Sequence, residues 1–278
     1  MSYYRALGLT HEPFSTSPDP AFFFRSTSHL QALQRIEIAV RLRRGLCFVL
    51  GDVGTGKTTL ARTLITELQQ DARLRFHLVL DPWYETEQQF LAALCQLFQL
   101  PAAGRSTVAL REAIEHHLFQ QGVAEGRTTV LVIDEGQKLS PEMLEHLRVL
   151  LNYETNEYKL LQLVIFAQLE LLPRLAQVHN VADRVAFKYL INPLDEVETA
   201  QLIRFRLRQA GLPEGSALFT ADALQAIHEA TQGYPRRIAM LCHGALEALV
   251  MHERPVADAA LVRALLAQEP AWSTHGVA

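Results

Sequence analysis

Gly51-Asp52-Val53-Gly54-Thr55-Gly56-Lys57-Thr58-Thr59 satisfies every position of the phosphate-binding pattern G-x-x-x-x-G-K-[ST]. Ahead of it, Leu46-Cys47-Phe48-Val49-Leu50 is a short apolar run that reads as a buried parallel strand. Behind it, the segment from Thr59 to Leu68 spaces its apolar residues as a helix does. In a strand-loop-helix, glycines let backbone N–H groups turn onto phosphate oxygens, and the helix N-terminus attracts the same charge. Lys57 is expected to reach the β- and γ-phosphates, and the Thr58 hydroxyl to ligate Mg²⁺. The stretch therefore predicts binding of a nucleoside triphosphate, with ATP and Mg²⁺ as the expected pair.

A second signal lies about eighty residues downstream. Thr129-Val130-Leu131-Val132-Ile133-Asp134-Glu135 is an apolar strand that ends in two carboxylates. At the carboxyl end of a strand beside the phosphate loop, Asp134 would bind Mg²⁺ through water, and Glu135 would polarise an attacking water as general base. A small-molecule kinase would exclude water rather than activate it, so the pair favours hydrolysis. The run 160–167 ends at Gln168, whose side chain would either meet the γ-phosphate or water, or face solvent. Arg236 and Arg237 open a helix after Gly233-Tyr234-Pro235. Cations there oppose the helix dipole unless an anion such as a phosphate accompanies them. Arg184 precedes the strand 185–190, at an edge that a neighbouring subunit could meet.

Strands and helices alternate from His29 to about Asn192: helix 29–44, strand 46–50, helix 57–70, strand 75–80, helices 86–98 and 107–121, strand 129–133, helix 141–153, strand 160–167, helix 169–177 and strand 185–190. Thr86 with Gln89 forms a capping box, and Ser140-Pro141 supplies a cap followed by Pro at the first helical position. Such alternation predicts a parallel sheet covered by helices. After Asn192-Pro193-Leu194 only helices follow, near 195–210, 220–231, 236–251 and 257–268, with Asp195 and Glu198 as another capping box. The expected organisation is an N-terminal extended segment on the core (1–28), an α/β nucleotide-binding domain (29–193), a small all-α lid (194–268) and a flexible tail (269–278). The first segment holds Pro13, Pro18 and Pro20, which exclude a helix there, while its aromatics Phe14, Phe22, Phe23 and Phe24 argue against disorder.

Composition narrows the class further. The chain has 278 residues, 49% of them hydrophobic and 20% charged, as in ordinary globular proteins. Twenty-six basic against thirty acidic residues leave a net charge of −4, so no global positive field advertises nucleic acid. Cys47, Cys95 and Cys242 lie far apart in apolar stretches and no C-x-x-C or H-E-x-x-H spacing occurs, which argues for buried free thiols in a reducing compartment. The N-terminus lacks a signal-peptide core, and the apolar stretch from Leu160 to Leu172 is short and broken by Gln162, Gln168 and Glu170. A soluble, cytoplasmic protein without a membrane span is expected.

Taken together, the phosphate loop, the Ile133-Asp134-Glu135 strand end, Gln168 and the Pro235-Arg236-Arg237 helix start resemble the AAA+ ATPases. More narrowly, the chain is similar to the ATPase module of the general secretion pathway protein A (ExeA-type) group. That resemblance rests on Leu7-Gly8-Leu9, Pro13-Phe14-Ser15, Ser17-Pro18-Asp19-Pro20, Phe22-Phe23-Phe24, His29 and Ala32-Leu33. Asp134-Glu135-Gly136-Gln137-Lys138, Leu147-Arg148, Asn152-Tyr153-Glu154-Thr155, Leu160-Leu161-Gln162 and Asn192-Pro193-Leu194 extend it. It implies a three-layer αβα P-loop NTPase fold with strand order 5-1-4-3-2, ATP hydrolysis and a nucleotide-dependent homo-oligomer. It also implies Gln168 as sensor 1, Arg236 as sensor 2, and Arg184 as a finger acting in trans, with Arg174 the nearby alternative. The group commonly has Ala where Gly136 stands, and Gly-Gln-Pro where Ala167-Gln168-Leu169 stands. Secretion-type relatives often continue into a transmembrane segment and a peptidoglycan-binding domain. This sequence ends after the lid, so a wall-remodelling role is expected only with a partner that supplies such a domain.

The resemblance favours a switch or motor for secretion or pilus assembly, with proteins of that machinery as partners. A DNA-associated ATPase of the transposition-regulator type is the alternative, for which Arg41-Leu42-Arg43-Arg44 and Arg204-Phe205-Arg206-Leu207-Arg208 are the basic clusters. A P-loop small-molecule kinase is the third reading.

Overall fold

A computed structural model describes residues 2–102, 104, 106–178 and 183–268. The expected tail, 269–278, lies outside them. The chain divides into two units: one runs Thr27–Val53 and Leu60–Ile191, and the other comprises the residues up to Ser26, Gly54–Thr59 and those from Asn192 onward.

The first unit is built on five parallel strands, β1 (Leu46–Leu50), β2 (Leu74–Val79), β3 (Thr128–Ile133), β4 (Leu161–Ala167) and β5 (Val185–Leu190), in the order β2-β3-β4-β1-β5. Read from the other edge this is the 5-1-4-3-2 order implied above. The reason lies in the strands' composition. β1, β3 and β4 are buried at every residue, because continuous apolar runs need cover on both faces and therefore central positions. β5 alternates half-buried and exposed, and β2 is only partly buried, as edge strands are. The buried polar residue of β4, Gln162, is paired at both ends of its amide: its Oε1 accepts the Gly45 N–H at 2.8 Å and its Nε2 donates to the Lys159 carbonyl at 2.8 Å.

Alternate strand residues, Leu46, Phe48 and Leu50, Leu131 and Ile133, Leu163 and Ile165, share one core with helices α4 (Glu87–Leu97), α5 (Thr107–Phe119) and α6 (Pro141–Leu150). The residues between them, Cys47, Val49, Val130, Val132, Val164 and Phe166, are as deeply buried, so both faces are covered. Helix α2 (Thr27–Arg41) packs on β1 and β5. The expected caps form: Thr86 Oγ1 accepts the Gln89 N–H at 3.2 Å, and Ser140 Oγ accepts the Met143 N–H at 3.2 Å. The helix expected over 169–177 begins later, as α7 (Leu171–Gln177), because Gln168 closes a turn by accepting the Leu171 N–H at 3.1 Å.

In the second unit, α8 (Glu196–Gln209), α9 (Ala221–Thr231), α10 (Pro235–Met251) and α11 (Ala259–Gln268) surround a core that includes Leu202, Ile227, Ile238, Leu246 and Val262. Asp195 caps α8 by accepting the Glu198 N–H at 2.7 Å. The N-terminal segment departs from expectation. It belongs to this helical unit rather than to the α/β core, and it is not wholly extended, since Tyr3–Ala6 form one helical turn, α1. Leu9 and Phe14 enter the helical core, with Phe14 edge-on to Phe219 at 6.3 Å. The end of α8 satisfies the segment's backbone: Ala210 O accepts the Thr10 N–H at 2.8 Å, Arg206 Nη1 donates to Ser15 O at 3.1 Å and Gln209 Nε2 to Ala21 O at 2.8 Å. A Pro-rich strap cannot pair in a sheet, so buried aromatics and side-chain donors hold it instead.

Two glycines are fixed by close approach. Gly233 has φ 73°, and a Cβ there would lie 1.9 Å from Leu194 O, so Gly233→Ala is expected to destabilise the helical unit by at least about 2 kcal/mol, read from the denaturant midpoint. Gly136 stands where the resembling group commonly has Ala, and the structure supplies the reason: a Cβ there would lie 2.4 Å from Ile165 Cγ2 and 3.2 Å from Phe166 O. Gly136→Ala is expected to cost about 1–3 kcal/mol, and adding Ile165→Leu, which removes the γ2 methyl, to recover most of it. Equal midpoints for the single and double variants would contradict this packing.

Candidate nucleotide site

Parallel pairing brings the candidate residues of the α/β unit to one edge. The register pairs Leu50 with Ala167 and Ile133 with Ile165, so β1, β4 and β3 end side by side. Gly51, Gln168 and Asp134 follow them closely. The Gly51 N–H donates to Ala167 O at 3.2 Å, and the Asp134 N–H to Val79 O at 2.8 Å. Because β4 separates β1 from β3, Gln168 emerges between the strand that feeds the phosphate loop and the strand that carries the carboxylates. Ligands of open parallel sheets bind at this carboxyl edge.

Gly54 and Gly56 adopt φ of 82° and 94°, left-handed conformations that side chains rarely take. Lys57 starts helix α3 (Lys57–Leu68) with only 9% of its surface exposed, and Thr55 is buried. Two left-handed glycines before a buried lysine at a helix start turn N–H groups inward, so the loop fits a polyphosphate. Within the helical unit the loop meets the start of α10: the Arg236 N–H donates to Gly54 O at 3.2 Å, and a Cβ on Gly54 would lie 3.0 Å from Arg236 Cβ. The expected lid arginine is thus tied through its backbone to the middle of the loop.

Asp134 is 3% exposed, and its Oδ1 accepts the Glu135 N–H at 3.0 Å. A buried carboxylate at a strand end suits a divalent cation. Glu135 itself is left-handed, at φ 53° and ψ 36°, a costly backbone for a residue with a side chain and a common mark of functional strain. Its Oε2 accepts from Gln137 Nε2 at 2.5 Å, Gln137 Oε1 accepts the Gln168 N–H at 3.1 Å, and Arg174 Nη1 donates to Gln137 O at 2.6 Å. Sequence reasoning had no role for Gln137, although its place two residues after Glu135 was the available signal.

The two arginines proposed as alternatives have separate positions. Arg174, on α7, is engaged with its own chain's Gln137. Arg184 precedes β5 at the opposite, amino edge, in a groove with Arg35, Arg44 and Lys159. Six residues of strand, about 20 Å, separate it from the carboxyl edge of its own sheet. Half of the arginines of the two basic clusters are committed internally: Arg41 pairs with Glu37 and Asp71, Arg43 bonds Thr128 and stacks over Tyr158, and Arg206 holds Ser15. Among the described residues no helix is long and apolar enough to cross a membrane, and no cluster of His, Cys, Asp and Glu has the form of a metal centre. The three cysteines are buried and none forms a disulfide; burial pushes the Cys47 thiol up to about 12.

Comparison with known proteins agrees with this geometry. Residues 40–175 match the AAA domain family. General secretion pathway protein A of Aeromonas hydrophila is 37% identical over 247 residues, 88% of this chain and 44% of that protein, so the chain spans less than half of its relative's length. In fold, the chain is similar to Aeropyrum pernix ORC2 in ADPNP-ADP complexes (TM-score 0.68, 16% identity, 93% of this chain and 71% of that one). Pyrobaculum aerophilum Cdc6p gives a TM-score of 0.68 at 20% identity, covering 88% and 67%. The Thermotoga maritima RuvB Holliday junction branch migration motor gives 0.59 at 15%, covering 89% and 73%. With its five-stranded parallel sheet and phosphate loop, the chain therefore carries an AAA domain of the P-loop class and is a homologue of general secretion pathway protein A.

Proposed function

We propose that this protein is an ATPase that binds MgATP, hydrolyses it to ADP and phosphate, and oligomerises through a nucleotide-dependent interface. The observation that carries the proposal is the strained Glu135, held beside buried Asp134 at the carboxyl edge that also feeds the phosphate loop. Residues 51–59 would hold the polyphosphate, with Lys57 against the β- and γ-phosphates, and Thr58 and Asp134 would hold Mg²⁺. Bound Mg²⁺ supplies charge neutralisation for the phosphates. Glu135 takes the proton of the attacking water, and Gln168 orients that water or the γ-phosphate. A carboxylate so placed supports hydrolysis over transfer to a small-molecule acceptor, so phosphate release needs no acceptor. Arg236, bonded through its backbone to Gly54, would report the nucleotide to the helical unit.

Arg184 would act in trans. The length of β5 keeps it from its own phosphate edge, and Arg174 is occupied by Gln137. The homology to general secretion pathway protein A supports coupling of turnover to assembly of a secretion or pilus machinery, with its proteins as partners, from the cytoplasmic side. DNA gains less support: Arg41, Arg43 and Arg206 are engaged within the chain, and likeness to RuvB at 15% identity speaks to fold alone.

Lys57→Ala is expected to lose binding of a fluorescent ATP analogue, and Glu135→Gln to keep that binding while turnover falls at least about 100-fold. Undiminished phosphate release by Glu135→Gln would defeat the hydrolytic assignment. Arg184→Ala is expected to lower turnover by on the order of 10³-fold and to regain activity when mixed with Glu135→Gln subunits, since shared interfaces then combine an intact Glu135 with an intact Arg184. Mixtures no more active than either variant alone would rule out the trans role.

A further inference from the structure

We infer that Gln137 is a positioning residue for Glu135, an amide strut that ties the carboxylate to the end of β4. The inference rests on Glu135 being the base of hydrolysis. Gln137 sits in the 3-10 turn Gly136–Lys138, is 9% exposed, and is held at three points. Its Nε2 donates to Glu135 Oε2 at 2.5 Å, its Oε1 accepts the Gln168 backbone N–H at 3.1 Å, and its carbonyl accepts from Arg174 Nη1 at 2.6 Å.

The chemistry of the two partners fixes the amide's orientation. A backbone N–H can only donate and an ionised carboxylate can only accept, so oxygen must face Gln168 and nitrogen must face Glu135. A flipped amide would set two donors against each other on one side and two acceptors on the other. The bond to Glu135 is charge-assisted, the stronger kind, and it engages one carboxylate oxygen, Oε2. The side chain's rotation is thereby restricted before any water arrives, which is the entropic part of preorganisation.

The strut also joins two elements. Gln168 follows β4, so a shift of that strand end moves the Gln137 amide and with it the base. Arg174, in the last turn of α7, ties that helix to the same strut. Neither close analogue replaces Gln137. Glu would keep the acceptor for Gln168 but set a second carboxylate against the first, and Asn is one methylene too short to span both partners.

The test is steady-state ATP turnover and ADP affinity for Gln137→Glu and Gln137→Asn, alone and combined with Glu135→Gln. Gln137→Glu is expected to lower kcat about 10- to 100-fold at unchanged KM and ADP affinity, because the Gln168 N–H keeps its acceptor while Glu135 loses its donor. Gln137→Asn is expected to lose kcat likewise, which keeps the test open should the Glu variant fold poorly. In the Glu135→Gln background neither change should lower the residual turnover further. A merely structural glutamine predicts near-normal kcat for Gln137→Glu, and that result overturns the inference. Equal losses in both backgrounds overturn it too. If Glu135→Gln loses turnover while both Gln137 variants keep it, only the strut fails; if Glu135→Gln itself turns over normally, the hydrolytic reading fails and the strut with it.

Discussion

Parallel pairing of β3, β4 and β1 is the constraint on which the candidate site depends. Three strands buried on both faces have no freedom to slide, since a shift of one residue would turn each strand's two core faces over. Their common direction sends every following loop to the same edge. Gly51, Gln168 and Asp134 therefore emerge as neighbours although more than eighty residues separate the first from the last. No contact among the three is needed to assemble them; the apolar core does so.

Rigidity of that edge is what allows strain to persist on it. Glu135 stays left-handed because Asp134 holds its N–H and Gln137 holds its carboxylate. Gly136 can follow because Ile165 fills the space a Cβ would take. On the loop side, Gly54 and Gly56 supply left-handed turns at little steric cost, and the close approach of Arg236 leaves little room for anything larger at Gly54. Left-handed backbone at Glu135, Gly54 and Gly56 thus falls where phosphate chemistry is proposed, and the regular strands that end there support it.

The helical unit shows a different economy. Its core is completed by Leu9 and Phe14, residues far from it in sequence, and the end of α8 supplies partners for the strap's backbone. Arginines that look like a basic cluster in the sequence turn out to be structural: Arg206 holds Ser15, and on the α/β unit Arg43 stacks over Tyr158. Charge counted along a chain says little about charge offered to a partner, because arginine is long enough to be spent on internal carbonyls and rings.

The alternation of apolar runs and helical spacing determined, by itself, most element types and a parallel sheet, because burial on one or two faces writes a period into the sequence; the phosphate loop was legible as a motif, and the order of the sheet only as what the family resemblance implied. Ends were less legible: α7 begins at Leu171 because Gln168 is taken up by a turn, which no periodicity records. Tertiary structure alone decided three matters. The N-terminal strap went to the helical unit, because the pockets that receive its aromatics exist only once α8 to α10 are packed. Arg174 and Arg184 were separated, since Arg174 is held by Gln137, which follows the carboxyl end of β3, while Arg184 enters β5 at its amino end. Gln137 became a bridge, because its partners Glu135 and Gln168 are brought within hydrogen-bond reach of one side chain only when β3 and β4 pair.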